Sequence, residues 1–240
     1  MRDSKWKGRI VGFRPLPRPD QSDVVGECSP QTLIANGLRD WGYFPDVSGW
    51  HPGDLILTKP AEPDVGSKLI SLAQQAGYAD YAEWTHAAVY LGDGLMLCEA
   101  QFDPPHDCEV IVTELANYVG THTLMVKRSH YAAEKELGWA IATAAATKIG
   151  SKYDISFVLD VGAQMSRGHT LEDGVELPPS SDRAFLCSTL YTTAHAYATN
   201  VAISDKLLKG SCFPAFLAGL YEPYLFDVPL RWRKIRRPSR

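Results

Sequence analysis

Apolar residues follow two rhythms along this chain of 240 residues. In one they run together in short blocks. "DLILT" at 54–58 and "AAVYL" at 87–91 are such blocks, and the second is closed by "GDG" and answered by "LMLC" at 95–98. Short apolar runs bounded by turn residues read as buried strands, and the Gly-Asp-Gly turn makes a β-hairpin of 84–100. Further strands are expected in "CEVIVTEL" (108–115), "HTLMVKR" (122–128) and "LFDVPLRW" (225–232). The other rhythm is helical. In "DVGSKLISLAQQAGYADYAEW" the residues Leu69, Leu72, Ala73 and Ala76 fall at the spacing of one helix face. "AAEKELGWAIATAAATKIG" is Ala-rich, acidic at its start and ended by Lys148 and Gly150. "AFLCSTLYTTAHAYA" is helical by its Ala and Leu content, with Cys187 in its first turn. A short helix capped by Ser29, with Pro30 at its first position, is expected before Gly37 or Gly42. The order of elements predicts an α+β fold in which an antiparallel sheet packs against helices.

Composition fits a packed globule: 45% of residues are hydrophobic and 22% charged. No apolar run reaches the roughly 18 to 20 residues needed to cross a bilayer, so no transmembrane segment is expected. The start, "MRDSKWKGRIVGFRPLPRPD", lacks the apolar core of a Sec signal peptide. The expectation is a chain made in the cytoplasm, with export by a specialised secretion system left open. Charge divides the chain into three. Residues 1–18 carry six Lys/Arg and one Asp, and residues 231–240 carry six Lys/Arg and no acid, which leaves 12 basic against 27 acidic residues between them. Residues 1–48 read as a basic, Pro-rich N-terminal extension, with a linker at 14–23. Residues 49–230 read as the main domain and 231–240 as a basic tail, either solvated or folded back on the acidic body. A body this acidic is not expected to bind nucleic acid.

Five cysteines at irregular spacings (Cys28, Cys98, Cys108, Cys187, Cys212) make no disulfide framework. His106 stands near Cys108 and Cys98, but no C-x-x-C or H-x₃-H pair accompanies them, so neither a metal site nor a cofactor is expected. The hairpin poses the sharper question. Its first arm begins at His86 and its second ends at Glu99, two groups that are costly to bury without partners. Taken alone, Cys187 reads as an inert buried thiol and His86 as a core histidine. Together they read differently. A sulfur at a helix N-terminus beside an imidazole is favoured as thiolate, and a carboxylate on the second ring nitrogen fixes the tautomer. A one-residue slip in the turn would put Glu99 on the wrong face. Among other histidines, His195 lies two turns along the cysteine's own helix, and His122 sits in a strand without an evident acid partner. His51, His106, His130 and His169 fall in turns and loops.

Five segments in order carry a resemblance: "PGDLIL", "THAAVYLGDGLMLCEA", "KIGSKYD", "FLCSTLY" and "FPAFLAGL". Over residues 50 to 230 the sequence resembles the circularly permuted papain-like amidases and peptidases of the YiiX/YaeF type. These are relatives of NlpC-type cell-wall peptidases and of lecithin:retinol acyltransferase. The resemblance implies a permuted papain-like fold with Cys187 as nucleophile, His86 as base and Glu99 as orienting residue. It also implies that Tyr153 lines the substrate pocket. The implied reaction is hydrolysis of a peptide or isopeptide bond in bacterial cell-wall peptides; an enzyme of this kind exported as an antibacterial effector would need an immunity protein. Two alternatives stay open: a lipid acyl hydrolase or acyltransferase on the same site, with "CFPAFLAGLYEPYLF" as an acyl groove or as core, and a non-catalytic binding module. Where the family carries acids, this chain has Thr189 and Phe216.

Overall fold

In the computed structural model of the chain, the described residues are 24–28, 43–92, 95–102, 108–154, 156–157, 160, 163, 184–203 and 212–234. The linker at 14–23, the helix expected from Ser29, and His106 and His169 lie outside them. The helices α1 (Val65–Tyr78), α2 (Lys135–Ala146), α3 (Cys187–Thr199) and α4 (Pro214–Gly219) accompany a six-stranded antiparallel sheet. Its strands are β3 (Leu55–Pro60), β4 (His86–Tyr90), β5 (Met96–Ala100), β6 (Val110–Glu114), β7 (His122–Ser129) and β10 (Leu225–Val228), in the order β10-β7-β3-β4-β5-β6. The mixed α+β expectation is met.

Strands β3 and β4 read as unbroken apolar blocks because both faces of the sheet are covered. Leu55, Leu57, Ala87, Val89 and Cys98 point into one core with Ile141, Leu190 and Leu217 from the helices. The alternate residues Ile56, Ala88, Tyr90 and Leu97 point into a second core with Trp50, Leu230 and Trp232. This second core is closed by a small sheet in which β11 (Leu230–Lys234) pairs with β1 (Val24–Cys28) and β2 (Tyr43–Pro45). The segment "LFDVPLRW" is therefore two strands. Pro229, which has no N–H to donate, stands at the break between β10 and β11. Residues 231–234, read from charge as the start of a tail, lie in β11, and Arg233 forms an ion pair with Asp46 at 2.9 Å.

One face was misread. Helix α1 forms as expected, but Leu69 and Leu72 stay 56% and 59% exposed, while Ala73 and Gln74 are buried. The Gln74 amide explains this. It donates to the carbonyls of Ala82 (2.9 Å) and Trp84 (3.1 Å) and accepts from the Ala215 N–H (2.9 Å). A polar side chain with all its partners present is buried at little cost. The "PGD" turn before β3 packs backbone to backbone on α2. Gly53 has φ +82°, and a side chain on it would meet the Gly138 carbonyl oxygen at 2.4 Å. The following Asp54, buried, takes two hydrogen bonds from Arg128 (2.7 and 2.8 Å) and one from the His51 N–H (2.8 Å). This network ties the turn before β3 to β7.

Candidate active site

Cys187 is the first residue of α3 and is buried. The helix opens there without a polar N-cap side chain. Instead Thr189, two residues on, accepts the Leu186 N–H at its Oγ1 (2.8 Å), which is the reach-back half of a capping box. This gives Thr189 a structural role at the start of α3. The first-turn N–H groups of a helix have no intrahelical acceptors, and Cys187 stands at that end of α3.

His86 reaches this sulfur from the first residue of β4, at the rim of the sheet. Strand β4 pairs with β5 in the register Val89↔Cys98 and Tyr90↔Leu97. Continuing it sets Ala88 against Glu99, so Glu99 and His86 are diagonal neighbours on the same face. The slip that would have turned Glu99 away does not occur. His86 Nε2 lies 2.7 Å from Glu99 Oε2, and the Cys187 side chain is a second hydrogen-bond partner of the ring. With Nε2 on the carboxylate, Nδ1 is the nitrogen left for the sulfur. The structure brings Cys187, His86 and Glu99 together from elements a hundred residues apart.

The electrostatics favour the charged pair. Burial works against a protonated His86, but the Glu99 carboxylate and the Cys187 sulfur outweigh it and raise its pKa from 6.5 to about 10. Burial likewise disfavours an ionised Glu99, yet His86 and the hydroxyls of Tyr118 and Thr113 bring its pKa below the ordinary value. Thr113 Oγ1 donates to Oε1 at 2.7 Å, and the Tyr118 hydroxyl donates to Oε2. Sequence patterning found neither residue. Thr113 carried a weak signal as a polar residue inside an apolar strand; Tyr118, in a turn, carried none. The His86 side chain remains 22% exposed, which leaves the ring accessible from solvent.

Tyr153 arrives by a separate route. The short strand β8 (Lys152–Tyr153) pairs in parallel with β9 (Ala184–Phe185), in the register Tyr153↔Phe185, so the tyrosine stands beside the residues leading into Cys187. Burial first, then the nearby Cys187, push its hydroxyl well above the usual tyrosine range, so it is a neutral donor. Phe102, 44% exposed, packs on its ring at 5.5 Å. The other histidines sit elsewhere or play other parts. His195 is fully buried. Its Nδ1–H donates to the Val201 carbonyl (2.9 Å), so Nε2 accepts from Ser129 Oγ (2.7 Å), which fixes a neutral core histidine. His122 packs edge-on against Tyr118, one ring removed from His86. Of the stretch offered as an acyl groove, Cys212, Phe213, Ala215, Leu217, Ala218 and Leu225 are buried in the core, and Phe216 packs on Tyr78.

Among the described residues no group of three His, Cys, Asp or Glu side chains is arranged to hold a metal ion. Nor is any helix there long and apolar enough to cross a membrane. Comparison with models of protein families, with curated proteins and with solved structures gives no match to this chain.

Proposed function

We propose that the chain is a cysteine hydrolase of the permuted papain-like, NlpC-related kind, cleaving an amide bond through an acyl-enzyme. The observation that carries this reading is the placement of His86 between a buried carboxylate and a sulfur at a helix N-terminus. His86 takes the Cys187 proton, and the sulfur reacts as the thiolate. The sulfur attacks the substrate carbonyl, and the first-turn N–H groups of α3 and the Tyr153 hydroxyl stabilise the oxyanion. As the tetrahedral adduct collapses, the C–N bond breaks and the imidazolium delivers its proton to the leaving amine. The neutral ring then takes a proton from water, the hydroxide attacks the thioester, and the acid leaves with the thiolate and imidazolium restored. Glu99 holds the ring and balances its charge throughout. The resemblance makes a peptide or isopeptide of the bacterial cell wall the favoured substrate, and an exported antibacterial effector with a cognate immunity protein is the corresponding biological setting.

A second reading keeps the site and changes the acyl group. Phe102 presents exposed apolar surface on the ring of Tyr153, beside the thiolate, and suits a fatty acyl chain. Incubating the protein with muropeptides and with acyl lipids, followed by mass spectrometry for new amines or fatty acids, separates the two readings. The chemistry itself is tested without a substrate. Cys187 is expected to alkylate rapidly with iodoacetamide below pH 7, and His86→Ala is expected to slow this by at least about tenfold, as the charged partner is lost. Slow alkylation with the pH dependence of an ordinary thiol would leave only a binding module.

A further inference from the structure

The couple between His86 and Glu99 is held by more than its own hydrogen bond, and the following deepens, and rests on, the cysteine-hydrolase reading. Glu99 is 1% exposed, an environment in which a carboxylate with too few donors takes up a proton. Here both oxygens are occupied. Oε1 accepts from Thr113, and Oε2 accepts from His86 and from Tyr118. Thr113 is brought in by the register Leu97↔Thr113 between β5 and β6, which sets it diagonal to Glu99 on the same face. Tyr118 lies in the turn that follows β6 and is fixed at both ends. Its N–H donates to the Leu115 carbonyl (3.1 Å), and its own carbonyl accepts from the His122 N–H (3.0 Å). Its ring also lies nearly parallel to the imidazole, at 17° with centroids 6.0 Å apart.

Among the described residues the titratable groups around Glu99 are few. His86 comes from β4 with Cys187 of α3 behind it, Cys98 is the neighbour on β5, and His122 opens β7 with Asp64, just before α1, beyond it. Cys98 is neutral, because burial and then Glu99 push its thiol up to about 12. His122 is neutral as well, lowered to about 4 by burial and then by the charge on His86. The charge on Glu99 therefore depends on His86 and on the two hydroxyls.

We propose that Tyr118 and Thr113 are positioning residues for the triad: their hydroxyls occupy both oxygens of Glu99 so that the carboxylate stays ionised and aimed at His86, and the Tyr118 ring backs the imidazole. Tyr118→Phe keeps the ring and removes the donor to Oε2; Thr113→Val removes the donor to Oε1. In either variant the carboxylate protonates at higher pH, the imidazolium loses its partner, and the thiolate is lost with it.

The experiment is the rate of Cys187 alkylation by iodoacetamide between pH 4 and 9 on the full chain, read by peptide mass spectrometry, with circular dichroism at each pH to confirm the fold. The acid limb is expected to move up by about one pH unit in Y118F and in T113V, the size of a lost hydrogen bond to a charged group. Thr113→Ser, which keeps a hydroxyl, is expected to retain the wild-type limb. Unmoved limbs in folded Y118F and T113V overturn this proposal and leave the hydrolase reading standing. A wild-type limb at the ordinary thiol position of about 8.5 overturns the hydrolase reading itself. Should one variant fail to fold, the other decides.

Discussion

His86 and His122 belong to one small network and are driven in opposite directions. Burial disfavours the charged form of both. At His86 the Glu99 carboxylate and the Cys187 sulfur prevail, and the pKa rises to about 10. At His122 the charge on His86 adds to burial, and the pKa falls to about 4. Ring-proton NMR titration is expected to show one histidine still protonated at pH 8 and another neutral at pH 5.5, with the first signal lost in His86→Ala. A His86 titrating near 6.5 would contradict the ion pair. The consequences for stability have opposite signs. Because His86 is raised, its contribution is complete below 6.5 and is lost as pH climbs through about 10. Because His122 is lowered, its contribution is present above 6.5 and is lost as pH falls towards about 4. Denaturant titrations should therefore show that His122→Phe loses less stability than wild type between pH 6.5 and 4. At this scale much of the Cys187–His86–Glu99 cluster was legible. An imidazole and a carboxylate at matching ends of an apolar hairpin demand partners, and a cysteine in the first turn of a helix supplies one. Tyr118 was not legible, because its ring reaches Glu99 only after β5 and β6 have paired.

Local sequence explains why α3 starts where it does. Leu186 offers no capping oxygen, and Thr189 compensates by accepting its N–H. Thr189→Val conserves shape and removes that acceptor, which leaves a buried N–H without its partner. The expected cost is about 1 kcal/mol, measurable by urea denaturation, with slower Cys187 alkylation as the helix start loosens. An unchanged midpoint would show that the cap is dispensable. The misread face of α1 has the same kind of physics behind it. Apolar periodicity nominated Leu69 and Leu72, but the helix docks through Ala73 and Gln74. An amide able to satisfy three backbone groups in the adjoining loop and α4 outweighed two leucines in fixing the rotation of the helix. Periodicity counts apolar side chains; it does not see which backbone groups a neighbour leaves unsatisfied.

Among the described residues the six-stranded sheet lies between two cores, and the second core draws on segments that composition and charge set apart from the main domain. Trp232, on β11, is 5% exposed among Trp50, Tyr90 and Leu97. Trp232→Ala is expected to cost about 3–5 kcal/mol, as for other large-to-small changes of a buried tryptophan, and to be read as a lowered melting midpoint. A loss below about 1 kcal/mol would mean that the small sheet contributes little to covering the six-stranded one.

What the sequence determined by itself was whatever depends on neighbours along the chain: the apolar blocks of β3 and β4, the existence of α2 and α3, and the polar ends of the hairpin. Turn chemistry, capping and side-chain periodicity act over a few residues, so they can be read directly. Tertiary structure decided the rest. It chose the hairpin register that turned Glu99 towards His86, the parallel pairing of β8 with β9 that set Tyr153 beside Cys187, and the docking of β11 onto β1 and β2. Each of these is a contact between distant segments, whose free energy comes from surfaces and hydrogen-bond partners that exist only once the other segment is in place.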